Sequence, residues 1–207
     1  MKVLIVSAHT DDAETAAGGT IVRLLEETHD VHHLVFSICE DAVPEGTSRN
    51  AFYSECLKAA KVLGLQTTIL KFPVRRFPEY RQQILQELVE VNKRFKPDVV
   101  FAPSASDIHQ DHATVSAEVI RAFRRSASIY GYDLPSSEGP RAPRLSMFYE
   151  LHERHIRKKV AAIRCYKSVG RIFGEEYVRA LAIERGARIG VRYAEAFEII
   201  LETRRIK

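Results

Sequence analysis

Histidine and aspartate occur twice in this chain in the pattern that builds a hydrolytic metal centre. Ala8-His9-Thr10-Asp11-Asp12-Ala13-Glu14 holds one histidine and two adjacent aspartates, and Asp107-Ile108-His109-Gln110-Asp111-His112 holds two of each. Two histidines and one carboxylate, with positions left open for water, form the donor set of a catalytic zinc site. The same set suits Fe(II). His9 and Asp12 are three residues apart, as are His109 and His112, so each pair can point into one space. The minimal ligand set is His9, Asp12 and His112, although spacing alone does not decide between His109 and His112, nor between Asp11 and Asp12. A metal there would lower the pKa of a bound water from about 16 to about 7. Asp11 could then take the proton as general base, and His109 could stabilise the oxyanion or protonate a leaving amine. Asp11 also has a structural reading as a helix N-cap. Glu14 reads as a first-turn acid that complements the helix dipole or as a contact behind the ligands, not as a catalytic group.

Both motifs follow apolar runs that read as buried strands. Val3-Leu4-Ile5-Val6 precedes the first, and Val99-Val100-Phe101-Ala102 precedes the second. Short, continuous, branched-residue runs are typical of a parallel sheet. Strands and helices alternate through the first 125 residues: helix from Ala13 to Glu27, strand from Val31 to Ile38, helix from about Ser48 to Leu63, strand from Thr67 to Lys71, helix from Glu79 to Phe95, and helix from His112 to Arg124. Such alternation argues for right-handed βαβ units. If the first three strands run outward and the fourth returns beside the first, both motifs flank the crevice at the topological switch point. In the second half, Leu145 to Tyr149 and Ala196 to Leu201 read as strands, and His152 to Ser168 and Glu175 to Arg188 as helices. The Pro- and Gly-rich segment 131–145 reads as a loop, either a lid over the crevice or a subunit contact.

The two motifs resemble the signatures of the PIG-L/LmbE-like zinc-dependent N-deacetylases, Ala-His-Pro-Asp-Asp-x-Glu and His-x-Asp-His. Gly18-Gly19, the stretch Glu55 to Gly64, Lys159 to Ser168 and Tyr193-Ala-Glu-Ala-Phe-Glu extend the likeness over most of the chain. The resemblance implies a Rossmann-like three-layer α/β fold with a mostly parallel sheet, as a single domain over residues 1–207. It implies zinc ligands at His9, Asp12 and His112, a base at Asp11, a transition-state role for His109, and an Asp111 that tunes the neighbouring histidine. The implied reaction is removal of an acetyl group from an N-acetylated amino sugar or sugar conjugate. Thr10 stands where the family usually has proline, a change the turn tolerates. The family's arginine ahead of Glu55 has Arg49 as its nearest candidate here.

Other signals bound the partners. Residues 1–100 carry a net charge of −2 and residues 101–207 one of +6. That basic half could attract an anionic substrate or simply form solvated helix faces. Arg75 and Arg76, after the third strand, stand on the correct rim to bind such a substrate. His29, His32, His33, His152 and His155 read as ordinary surface or half-buried residues. Gly18-Gly19 lacks the spacing of a dinucleotide fingerprint. No nucleic-acid module is recognisable, and no run approaches the roughly 20 apolar residues that span a bilayer. The three scattered cysteines, and a start that runs straight into a strand, predict a cytoplasmic protein. The helical second half could supply an interface for a homo-oligomer. Two other functions fit parts of this pattern: an Fe(II)-dependent oxygenase using the same two-His-one-carboxylate site, and a non-catalytic ligand-binding member of the fold.

Overall fold

The computed structural model describes residues 1–134, 137, 142–167 and 174–203. Seven strands, β1 (Lys2–Ser7), β2 (Asp30–Val35), β3 (Gln66–Ile69), β4 (Val99–Pro103), β5 (Ser128–Tyr132), β6 (Leu145–Leu151) and β7 (Tyr193–Leu201), form one sheet in the order β3-β2-β1-β4-β5-β7-β6. The first five are parallel, and β7 runs antiparallel to both β5 and β6. Among the described residues six α-helices accompany them: α1 (Asp12–Glu26), α2 (Ala51–Leu63), α3 (Arg81–Phe95), α4 (Gln110–Phe123), α5 (Glu153–Ile163) and α6 (Glu175–Ala187). The fold is the α/β, mostly parallel arrangement that the alternation implied.

The central strands are apolar throughout because both their faces are covered. Along β1, Val3 and Ile5 face one core with Ile21 and Leu24 of α1 and Leu63 of α2. Leu4 and Val6 face the other with Ile84 and Leu88 of α3 and Val115, Val119 and Phe123 of α4. The helices therefore form two layers around the sheet, the packing expected of a parallel sheet with crossover helices. A smaller cluster (Leu151, Ile156, Val160, Val178, Ala182, Tyr193) joins α5 and α6 to the antiparallel end.

β1 pairs with β2 on one side and β4 on the other, so the chain reverses direction across the sheet between β1 and β4. That is the switch point, and α1 and α4 start immediately beyond it. Among the described residues no helix is long and apolar enough to cross a membrane.

Two sequence expectations need correction. Ser128–Tyr132 is a fully buried central strand, and residues 131 and 132 belong to it rather than to a loop. Leu145 likewise opens β6. The intervening lid or contact expectation falls largely on residues 135, 136 and 138–141, outside the described ones. His33 and His155 are wholly buried, not surface or half-buried: the His33 ring bonds Ser7 Oγ through Nε2 at 2.9 Å and Thr67 Oγ1 through Nδ1 at 3.4 Å, and His155 Nε2 bonds Glu26 Oε2 at 3.0 Å.

Candidate active site

The loop after β1 and the loop after β4 meet over the switch point. α1 begins so soon after β1 that His9 and Asp12 lie on one tight turn, closed by the His9 amide donating to Asp12 Oδ2 at 2.9 Å. Asp11 occupies the N-cap position but makes no capping bond, so its carboxylate is not consumed by the helix. His109 is the N-cap of α4, and its Nδ1 accepts the Asp111 amide at 3.2 Å. His112 sits in the first turn of α4, nearly buried.

His9 and His112 are each held from behind by a carboxylate. His9 Nε2 donates to Asp111 Oδ2 at 3.0 Å, and His112 Nδ1 donates to Asp107 Oδ2 at 2.8 Å. A carboxylate behind an imidazole fixes the tautomer and leaves the other nitrogen free as a donor atom. Those free nitrogens, His9 Nδ1 and His112 Nε2, face each other at 3.0 Å. Asp12 Oδ1 lies 3.8 Å from the first and 3.5 Å from the second. Donors bound at 2.0–2.1 Å on tetrahedral zinc stand about 3.3 Å apart. Two imidazole lone pairs this close, beside a carboxylate, call for a proton or a cation between them.

His109 also comes within reach: one ligand atom from each of His9, His109 and His112 lies within 4.8 Å of the others. Its chemistry differs, however. With Nδ1 already accepting an amide hydrogen, the neutral ring carries its proton on Nε2. Coordination through Nε2 would require losing either that proton or the cap. His109 is thus better suited to donate a hydrogen bond, and Asp12 to complete the ligand set.

The electrostatics follow from the same contacts. Burial opposes ionisation of Asp12, but the His112 charge and the hydrogen bonds from His112 and the His9 amide hold it well below the usual carboxylate range. Burial also opposes a charge on His112, yet the Asp12 charge and the Asp107 hydrogen bond outweigh it and push its pKa up to about 10. Asp11 goes the other way. Burial, then the Asp12 charge, raise it above the ordinary value. Adjacent carboxylates with opposed shifts are the usual mark of divided roles. Burial lowers His109, with the neighbouring His112 adding to the effect, which favours its neutral form.

Three features escaped the sequence reading. Asp107, five residues before His112, is the carboxylate that orients it, and it also accepts the His109 amide (2.8 Å) and Ser137 Oγ–H (2.7 Å). Asp111 receives the amides of Arg75 (2.6 Å) and Phe77 (3.2 Å), so the segment after β3 is tied to the site through its backbone. Glu14 is fully buried with neither carboxylate oxygen partnered among the described residues, and burial, aided by the Asp11 charge, pushes its pKa up to about 8. Of the three arginines considered for substrate, Arg49 forms an exposed ion pair with Asp41 (2.6 Å) and Arg76 one with Glu79. Arg75 is exposed, with its amide held by Asp111.

The family model for GlcNAc-PI de-N-acetylase (PIG-L) matches residues 4–123, the stretch holding both loops. The chain belongs to this family. Among relatives of this PIG-L protein is the diacetylchitobiose deacetylase of Thermococcus kodakarensis, 26% identical over 229 residues, spanning 96% of this chain and 83% of the relative. Solved structures share its fold. The N,N'-diacetylchitobiose deacetylase of Pyrococcus horikoshii superposes with a TM-score of 0.78 at 22% identity, covering 97% of this chain and 84% of that one. GalB, the 4-carboxy-2-hydroxymuconate hydratase of Pseudomonas putida KT2440, does so with a TM-score of 0.80 at 20% identity, covering 100% and 98%. A deacetylase and a hydratase on one fold show that the reaction must be argued from the site.

Proposed function

We propose that this PIG-L family protein is a metal-dependent N-deacetylase that removes acetate from an N-acetylated amino sugar or its conjugate. The observation that carries this reading is the convergence of His9 Nδ1, His112 Nε2 and Asp12 Oδ1 within 3.0–3.8 Å, each imidazole backed by its own aspartate. Residues of these types at these distances fit a zinc ion, with His9, Asp12 and His112 holding it. Such an ion supplies a water activated at neutral pH and polarises an amide carbonyl.

The protein's own groups do the rest. Asp11, with its raised pKa, takes a proton from the attacking water and can return it to the departing amine nitrogen. The His109 Nε2–H donates to the carbonyl oxygen as it gains negative charge, while its Nδ1 is locked on the Asp111 amide. Asp111 and Asp107 keep the two imidazoles aimed at the shared point. The family's deacetylases support acetate as the product; the geometry itself would serve any water-addition chemistry.

Acetate release tests this reading. Protein stripped of metal and refilled with Zn²⁺ is assayed without oxygen on N-acetylglucosamine, N,N'-diacetylchitobiose and anionic N-acetyl sugars. Metal-dependent release in every replicate, lost by 10²–10⁴-fold in kcat with metal retained in Asp11→Asn, is the expected result. Stoichiometric metal binding without acetate from any substrate would reject the deacetylase. Oxygen-dependent turnover would favour an oxygenase.

A further inference from the structure

We infer that Arg75 is the residue that selects substrates carrying an oxyanion, a phosphate ester or a carboxylate, next to the N-acetyl sugar. This rests on the deacetylase reading and names the substrate class within it.

Three observations converge on Arg75. First, its backbone is part of the site: its amide donates to Asp111 Oδ2 at 2.6 Å, and Asp111 Oδ2 also receives His9 Nε2–H. Gln110 donates from its side chain to the Arg75 carbonyl. Arg75 is thereby fixed one carboxylate away from a ligand histidine, on the rim of the crevice. Second, it is held in the left-handed region, φ 65°, where a residue with a Cβ is strained and glycine or asparagine would be easier. The backbone bonds alone could be made by glycine. An arginine here therefore calls for a role for its side chain, in keeping with strain collecting at functional positions.

Third, the guanidinium is exposed and has no hydrogen-bond or ion-pair partner among the described residues. Arg49, Arg76, Arg81 and Arg185 all pair with carboxylates. The site behind it gathers four carboxylates, Asp11, Asp12, Asp107 and Asp111, surroundings that disfavour an anionic ligand unless a cation stands beside it. An uncommitted, planar five-donor cation at that edge offsets the repulsion and matches the geometry of phosphate or carboxylate oxygens.

The test compares kcat/KM for acetate release from N-acetylglucosamine 6-phosphate, N-acetylmuramic acid and neutral N-acetylglucosamine, in wild type and in Arg75→Gly. Glycine accepts φ 65° and keeps the amide bond to Asp111, so the variant removes the guanidinium without removing the anchor. The expected result is a wild-type preference for one of the two anions that falls at least tenfold in Arg75→Gly and shrinks with added salt. The anion preferred identifies phosphate or carboxylate as the source. An unchanged anion-to-neutral ratio overturns the inference. Arg75→Asn, which also tolerates this backbone, serves if the glycine variant does not fold. If wild type releases acetate from nothing, the deacetylase reading fails by itself. Calorimetric binding of glucosamine 6-phosphate against glucosamine then decides Arg75 alone: equal binding by wild type and variant rejects it.

Discussion

The two loops that meet at the rim hold their histidines in different ways. The loop after β4 supports itself. Asp107 accepts the His109 amide on one oxygen and His112 Nδ1–H on the other, and Ser137 Oγ braces the same carboxylate. The loop after β1 does not. Its His9 is aimed by Asp111, 102 residues away, and Asp111 is in turn gripped by the amides of Arg75 and Phe77. One proposed ligand histidine, His112, is thus oriented locally; the other, His9, depends on three chain segments docking together. Asp111 is the shared joint. Damage at Asp107 should stay with His112 and the His109 cap on the same loop, whereas damage at Asp111 should also reach His9 and the segment bearing Arg75.

The largest expected effect removes a proposed ligand outright. His112→Ala should reduce bound zinc from one per chain to background and lower turnover by roughly a thousandfold or more. Metal analysis of the purified variant checks this, and full metal occupancy would displace His112 from the ligand set. His109→Ala is the matching control. It should keep the metal and lose kcat, because the His109 Nδ1 is engaged by the Asp111 amide.

The second prediction separates the two supports. Residues behind metal-bound histidines cost about 10–100-fold in metal affinity or activity when replaced. Asp107→Asn and Asp111→Asn should both fall in that range, with Asp111→Asn the worse. Only Asp111→Asn should also change the ratio of activity on anionic and neutral substrates, since only Asp111 holds the Arg75 amide. Equal losses, with no change in that ratio, would mean that the two loops are supported alike.

What the chain reveals on reading follows the same division. His9, Asp12, His109 and His112 could be picked out as candidates because each motif is contiguous and follows an apolar run that reads as a buried strand. The relations that aim them are not contiguous. Asp111 to His9 and Asp111 to Arg75 span 102 and 36 residues, and nothing local marks them. Asp107 was visible yet carried no role, because its function depends on which ring nitrogen it faces. β5 was missed for a different reason. Ser-Ile-Tyr-Gly-Tyr contains a serine and a glycine that weaken a strand signal, and Gly131 is there because a Cβ would come within 3.0 Å of Glu198 Oε2 and 3.1 Å of Ser104 Cα. Likewise His33 looked ordinary because its partners, Ser7 and Thr67, come from the strands on either side.

That buried histidine gives the smallest expected effect on turnover and sharpens the contrast between the loops. Ser7, the last residue of β1, carries the first loop and is hydrogen-bonded to His33. Burial pushes the His33 pKa down to about 3, from an ordinary value of 6.5, so it is neutral when folded and takes up a proton when unfolded. The unfolded chain therefore binds the extra proton. Stability from this group is complete above pH 6.5 and is lost as pH falls toward 3, by about 2 kcal/mol at pH 5. His33→Gln cannot titrate. Urea unfolding of the metal-free proteins should show the wild type losing stability between pH 7 and pH 5 by about that much more than the variant. Turnover at pH 7.5 should differ by less than a few-fold. Parallel stability profiles would mean that the footing of the first loop is insensitive to acid, and that its dependence on distant segments ends at Asp111.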